Sequence, residues 1–257
     1  LEDDDNYAAW LGVPQAIDAV ETIARLDRPV DWLLVDHYGI SSVWEERLRP
    51  HVRQLMVIDD LGNHLHCCDI LLNQNITSSG HHFDHGQFPS STEVLAGPRY
   101  ALLRPEYRYV REKRVPTTGK VKRIFVFFGG TDAHNLTGRA LLALGRPEFQ
   151  YVAIDVLVGS NNPHKSTLGD WSASLSNVTL HEARPHLVDL MASADLAIGA
   201  GGTTTWERCC LGLPSVVVSV AENQRGICEA LAREGVIEWL GHHDTTSVER
   251  LAETIRS

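Results

Sequence analysis

The chain lacks the long apolar runs, the cysteine pairing pattern and the excess of basic residues that would place it in several large functional classes. No stretch reaches the roughly 18 apolar residues a membrane span requires, and no signal peptide opens the sequence, so no membrane partner is expected. The cysteines number five, an odd count without a C-x-x-C pair, which suits free thiols in a reducing, cytoplasmic setting. Lys plus Arg total 23 against 33 Asp plus Glu, a net charge of −10. That balance argues against nucleic acid or an anionic lipid surface as principal partner. It leaves room for an anionic small ligand, because backbone amides bind phosphate inside acidic proteins. Walker A, G-x-G-x-x-G and G-x-S-x-G motifs are all missing, so kinase, dehydrogenase and serine-hydrolase readings lose their usual support. No repeat of solenoid period and no low-complexity tract is present.

What remains is an ordinary globular composition: 257 residues, 43% hydrophobic and 22% charged, enough for one large or two small α/β domains. Residues 111–120 (REKRVPTTGK) are polar, charged and broken by Pro116 and Gly119, and read as a linker. The expected domains are therefore 1–112 and 120–257. In the second, apolar runs at 123–128, 152–158, 195–198 and 215–220 end in glycine or polar residues. Helical patterns at 135–144, 186–194, 204–211 and 224–234 separate most of them. Unbroken apolar strands alternating with helices predict a doubly wound parallel sheet covered on both faces. In such sheets ligands bind beyond the carboxyl ends of the strands. The first half repeats the theme with short strands at 32–35, 55–58 and 69–72. The sequence opens at Leu1 and leads into residues 8–26 without a first strand, so an N-terminal domain short of its opening strands is expected.

The candidate chemistry sits at those strand ends. Gly129, Gly130, Thr131 and Asp132 follow a strand and precede a helix. Glycine permits close backbone approach and helix-start amides favour phosphate, yet a plain βα turn capped by Thr131 or Asp132 has the same pattern. Gly201, Gly202, Thr203 and Thr204, in the run GAGGTTT, form a second turn of this kind, and two such turns on one sheet would grip a pyrophosphate from two sides. Glu207 lies one helical turn further, in reach of a ribose diol unless it is simply a solvated glutamate. Asn223 and Gln224 follow the last apolar run; their amides suit sugar hydroxyls and acetamido groups, or Asn223 caps a helix. Asp36, His37 and Tyr38 offer an acid, a base and a phenol, but consecutive side chains diverge, so at least one is structural. His64, His66, Cys67, Cys68, His81, His82 and His85 lie close in sequence without any common zinc spacing, and no metal or cofactor is expected.

The segments WLLVDHYGI, HCCDILLNQN, GPRYALL, FFGGTD and AENQ occur here in an order that resembles the PseG family, the UDP-sugar hydrolases of bacterial pseudaminic acid biosynthesis. The resemblance runs along essentially the whole chain. It implies two Rossmann-like domains of the glycosyltransferase-B, MurG-like type, the first of them incomplete. It also implies metal-independent, inverting hydrolysis of UDP-2,4-diacetamido-2,4,6-trideoxy-β-L-altropyranose to UDP and free sugar, on the route to flagellin glycosylation. Carried over by matching motifs, Gly129, Gly130, Thr131 and Gly201 to Thr204 would hold pyrophosphate, Glu207 the ribose, and Asn223 and Gln224 the hexose. Tyr38 matches the family tyrosine near the reacting sugar. The family's histidine-bearing G-x-G-H-x-x-R loop has no counterpart in residues 1–257. A MurG-like UDP-sugar glycosyltransferase and a non-catalytic nucleotide-sugar-binding fragment are the alternative expectations.

Overall fold

In the computed structural model, which describes residues 7–76, 86–115, 119–182 and 186–256, the chain divides into two units, Leu1–Leu102 and Leu103–Ser257. The first is built on a four-stranded parallel sheet in the order β1 (Val30–Val35), β2 (Val52–Ile58), β3 (Ile70–Asn73), β4 (Glu93–Ala96). Helices α1 (Gln15–Ala24) and α2 (Ser42–Leu48) pack on each other, and the core gathers Val35, Trp44, Leu48, Leu55, Val57 and Leu71. Strand period 2 explains the rest of β1: Val35 turns inward while Trp32 and Leu34 stay exposed. Trp44 is fixed by donating its indole N–H to Asp18 Oδ1 at 2.7 Å, tying α2 to α1.

The second unit opens with α3 (Pro105–Lys113), and here the expected domain boundary is corrected. Tyr107 is buried with Phe125, Met191 and Leu211, and Val110 packs against the same cluster. Beyond the helix, Arg114 donates to the carbonyls of Ala194 (2.8 Å), Leu211 (2.8 Å) and Gly212 (3.1 Å). Residues 105–114 therefore belong to the second unit, and the division falls at Leu102–Leu103 rather than within 111–120.

Six parallel strands follow: β5 (Arg123–Phe127), β6 (Ala153–Val158), β7 (Val178–Glu182), β8 (Leu196–Ala200), β9 (Ser215–Ser219) and β10 (Glu238–His242). Between them run α4 (Leu136–Leu144), α5 (Lys165–Ala173), α6 (Val188–Ser193), α7 (Thr204–Leu211) and α8 (Glu222–Arg233), with α9 (Val248–Arg256) last. Their spatial order is β10-β9-β8-β5-β6-β7. Alternate residues of β5 feed opposite cores, Ile124 and Val126 toward α4 and α9, Phe125 toward α3 and α6. Both faces are thus covered, as the apolar runs predict. The chain starts in the sheet's middle at β5, winds out to the edge at β7 and returns beside β5 as β8, so the winding direction reverses between β5 and β8. Doubly wound sheets open a crevice for ligands at that reversal.

Candidate functional site

Phe127 pairs with Gly199 across the reversal, so the loops that leave β5 and β8 start side by side. Their glycines do different jobs. Gly129 has φ +97°, a left-handed conformation, and a Cβ added at Gly129 or Gly130 would meet nothing within 4 Å. The space above this loop is open. By contrast, a Cβ at Gly159, just past β6, would lie 2.0 Å from the Gly130 carbonyl oxygen, so the β6 loop supports the β5 loop by backbone contact. Gly201 likewise has no room, with the Cys228 sulfur 2.4 Å from a Cβ position.

The two helix starts differ as well. At α4 the chain caps itself: Asp132 accepts from the amides of Leu136 (2.8 Å) and Thr137 (2.9 Å), and Asn135 accepts from Gly138 (3.2 Å). Both residues hold positive φ, +44° and +53°, to do so. The capping reading of this turn is met by Asp132 together with Asn135. The α4 amides go to the cap, and among the described residues the amides of Gly130 and Thr131 have no protein acceptor. At α7 there is no side-chain cap: Thr203 sits in helical conformation and the amides of Gly202, Thr203 and Thr204 have no acceptor among the described residues. Unpartnered amides at a helix start are the groups an anion would use.

Gln224 reaches this loop. Its Oε1 accepts from the Val220 amide at 3.0 Å, while its Nε2 lies 3.6 Å from a Cβ position on Gly202. Asn223 does not cap α8, whose N-cap is Ala221, and its Oδ1 is enclosed without a partner. Glu207 is no solvated surface residue either. It is half-buried, its Oε2 is enclosed without a partner, and burial pushes its carboxyl up against the opposing pull of the Tyr107 hydroxyl. Enclosed acceptors without donors are costly, and a ligand's hydroxyls would satisfy them.

One residue of the site escapes a reading by motif. Arg208 is 1% exposed, and Nη2 donates to the Ala200 carbonyl (2.8 Å) and the Thr205 hydroxyl (2.9 Å). No carboxylate pairs with it among the described residues, its Nε–H has no acceptor, and burial lowers its pKa to about 10. A cation thus lies under the β8–α7 loop. The signal is in the sequence: Thr205, Arg208 and Leu211 share one helical stripe, and that stripe is the buried one.

Tyr38 belongs to the first unit, in the turn after β1. Its ring packs on Tyr7 (4.8 Å) and Trp10 (6.0 Å), and its hydroxyl bonds Asp60. His37 is the structural member of its triplet, Nδ1 accepting from the Gly39 amide at 3.0 Å. His66 is buried between Glu45 (2.7 Å) and Asp59 (3.3 Å), which together raise it to about 9 despite burial. Both its nitrogens are therefore engaged, and among the described residues no cluster of His, Cys, Asp and Glu could hold a metal. His81, His82 and His85 lie outside the described residues. All five cysteines are free thiols. Among the described residues no helix is long and apolar enough to cross a membrane.

Residues 123–257 match the model of the glycosyltransferase family 28 C-terminal domain. The UDP-2,4-diacetamido-2,4,6-trideoxy-beta-L-altropyranose hydrolase of Campylobacter jejuni is 29% identical over 206 residues, covering 79% of this chain and 71% of that protein. The spore coat polysaccharide biosynthesis protein SpsG of Bacillus subtilis is 28% identical over 152 residues, 59% of this chain and 44% of its own length. Among solved structures, Acinetobacter baumannii MurG aligns over 93% of this chain and 67% of its own, with TM-score 0.55 and 16% identity. The glycotransferase of kitacinnamycin aligns over 100% of this chain and 74% of its own, with TM-score 0.63 and 13% identity. At these identities the structural likeness shows the fold: parallel-sheet α/β of the glycosyltransferase-B type.

Proposed function

The chain belongs to the glycosyltransferase family 28 C-terminal domain family, and we propose that it binds a UDP-sugar and cleaves it at the anomeric carbon with water as acceptor. The substrate we assign is UDP-2,4-diacetamido-2,4,6-trideoxy-β-L-altropyranose, which the 29% identity to the Campylobacter jejuni hydrolase supports; the pathway, pseudaminic acid biosynthesis, is what the PseG resemblance implies.

The observation that carries the reading is the pair of adjoining loops at the sheet reversal, each with amides that no acceptor among the described residues uses. As the anomeric C–O bond breaks, negative charge grows on the departing pyrophosphate. Amides already aimed at that charge stabilise the transition state more than the ground state. In this reading Gly129, Gly130 and Thr131 hold the pyrophosphate together with Gly201, Gly202, Thr203 and Thr204, over the buried Arg208 cation. The enclosed Oε2 of Glu207 accepts from the ribose diol. Asn223 and the Gln224 amide meet the acetamido groups; Tyr38, in the first unit, is the catalytic residue that the PseG resemblance implies. Attack opposite the leaving group inverts the anomeric centre.

Two measurements test this. Calorimetric titration with UDP is expected to show binding, and Glu207→Ala to weaken it roughly 10- to 100-fold, about 1.5–3 kcal/mol. A proton NMR time course with the diacetamido-trideoxy-altrose nucleotide is expected to show free sugar of inverted configuration. Absence of UDP binding overturns the nucleotide site. Sugar transfer to an added alcohol with no free sugar would make the chain a glycosyltransferase instead.

A further inference from the structure

Helix α3 carries a hydroxyl into the core of the second unit. Tyr107 is 2% exposed, and its ring packs with Phe125, Met191 and Leu211. A phenylalanine would fill the same apolar space, whereas a buried phenol needs an acceptor for its proton. Met191 Sδ lies 3.9 Å away, and a thioether accepts weakly. The stronger acceptor is the Glu207 carboxyl group on α7, which the hydroxyl hydrogen-bonds.

Helix packing sets up this meeting. Helix α3 packs along α7, with Tyr107 in its first turn and Glu207 in the first turn of its neighbour. At the far end, Arg114 donates to the carbonyls of Leu211 and Gly212, where α7 stops. The two helices are thus tied at both ends, and the carboxyl group is held close to the start of α7. Three neighbours favour its charged form, the Tyr107 hydroxyl first, then Arg208 on α7 and Arg104 just before α3; burial opposes them. Even so, Oε2 is enclosed without a partner among the described residues. A carboxylate kept only for structure would have its lone pairs met within the fold. This one is held from α3 and left unmet on its other oxygen.

We propose that Tyr107 is a positioning residue for the nucleotide, its hydroxyl holding the Glu207 carboxyl group so that Oε2 accepts from the ribose diol. This deepens the nucleotide-site reading and rests on it. Tyr107 lies too deep to touch the ligand and acts through Glu207 alone. Its hydrogen bond favours the ionised carboxyl group, and that form offers a diol acceptors only.

Calorimetry with UDP and 2′,3′-dideoxy-UDP isolates the diol, because titration of the phosphates cancels in the ratio of the two affinities. The wild type is expected to prefer UDP about 10- to 100-fold at neutral pH. Tyr107→Phe is expected to cut that preference about 3- to 10-fold, with dideoxy-UDP affinity and the unfolding midpoint near wild type. A purely structural role would lower both affinities together, and that result overturns the proposal. In a Glu207→Ala background, Tyr107→Phe is expected to add nothing, since the two residues act as one. The preference is expected to fade as pH drops through the Glu207 titration, and to fade at higher pH in Tyr107→Phe, which removes a hydrogen bond to the charged form. In the wild type itself, the carbon-13 signal of Tyr107 Cζ should move as Glu207 titrates. A Cζ signal indifferent to that titration overturns the proposal without any variant. So does a Tyr107→Phe protein with wild-type preference and pH course, while Glu207 keeps the ribose. Should Glu207→Ala leave the preference intact, the ribose assignment fails and the positioning role with it.

Discussion

Arg208 and His66 are both buried charges, held in place by opposite means. Arg208 has hydrogen bonds but, among the described residues, no ion-pair partner, and the loop above it is where an anion is proposed to sit. Met at this position removes the desolvation cost of a buried cation together with its two hydrogen bonds, and the two changes oppose each other in stability. Arg208→Met is therefore expected to weaken UDP about 10-fold while barely moving uridine affinity or the unfolding midpoint, a contrast that calorimetry with both ligands reads directly. His66 has two carboxylate partners, and its folded pKa of about 9 lies above the ordinary 6.5. Its stabilisation is complete below pH 6.5 and is lost as pH rises through 9, a change on the order of 3 kcal/mol. Asp59, held low, acts in reverse: its contribution is present above about pH 3.8 and lost as pH falls through its folded value. Urea unfolding of the first unit is thus expected to be hardest between about pH 4 and 6.5 and easier at pH 9.5. Unchanged midpoints across that range would show that the triad is not charged as described. Arg208 does not stand out in the sequence until its helical face is assigned, and His66, singled out there as a possible ligand, lies in a connecting segment whose burial no local pattern encodes.

Loops here are supported by loops. The Gly159 backbone lies so close to Gly130 that any side chain must displace the β5 loop, and the obstacle is backbone rather than a movable side chain. Gly159→Ala is expected to lower UDP affinity at least 10-fold or to destabilise the second unit by about 1–3 kcal/mol, which titration and thermal unfolding would separate. Wild-type behaviour in both would mean the β6 loop gives way freely. At this scale the sequence was most informative for interior strands. β5, β6, β8 and β9 are buried on both faces and so appear as unbroken apolar runs. The edge strands β4, β7 and β10 carry glutamate, histidine and exposed positions, and have no such run. Helix α3 was hidden for a similar reason: PEYRYVREK is mostly charged, and its place in the second unit depends on Tyr107 and Val110 alone among its apolar residues. The motif-bearing turns were legible because glycine and polar residues punctuate each strand end, whereas the pairing that adjoins them, Phe127 with Gly199, depends on a strand order no local pattern encodes.

Across the whole molecule, the proposed anion site belongs to a chain of net charge −10, so local backbone dipoles and one buried cation must outweigh the long-range field. That places weight on how the site is prepared before any ligand arrives. Asp132 and Asn135 hold their turn in left-handed conformations through three hydrogen bonds of their own. Such conformations persist only where their surroundings impose them. The conformational entropy of that turn is therefore lost when the chain folds, not when a phosphate binds. A ligand meets a surface already at rest, and its affinity there is set by contact geometry rather than by the cost of ordering a loop.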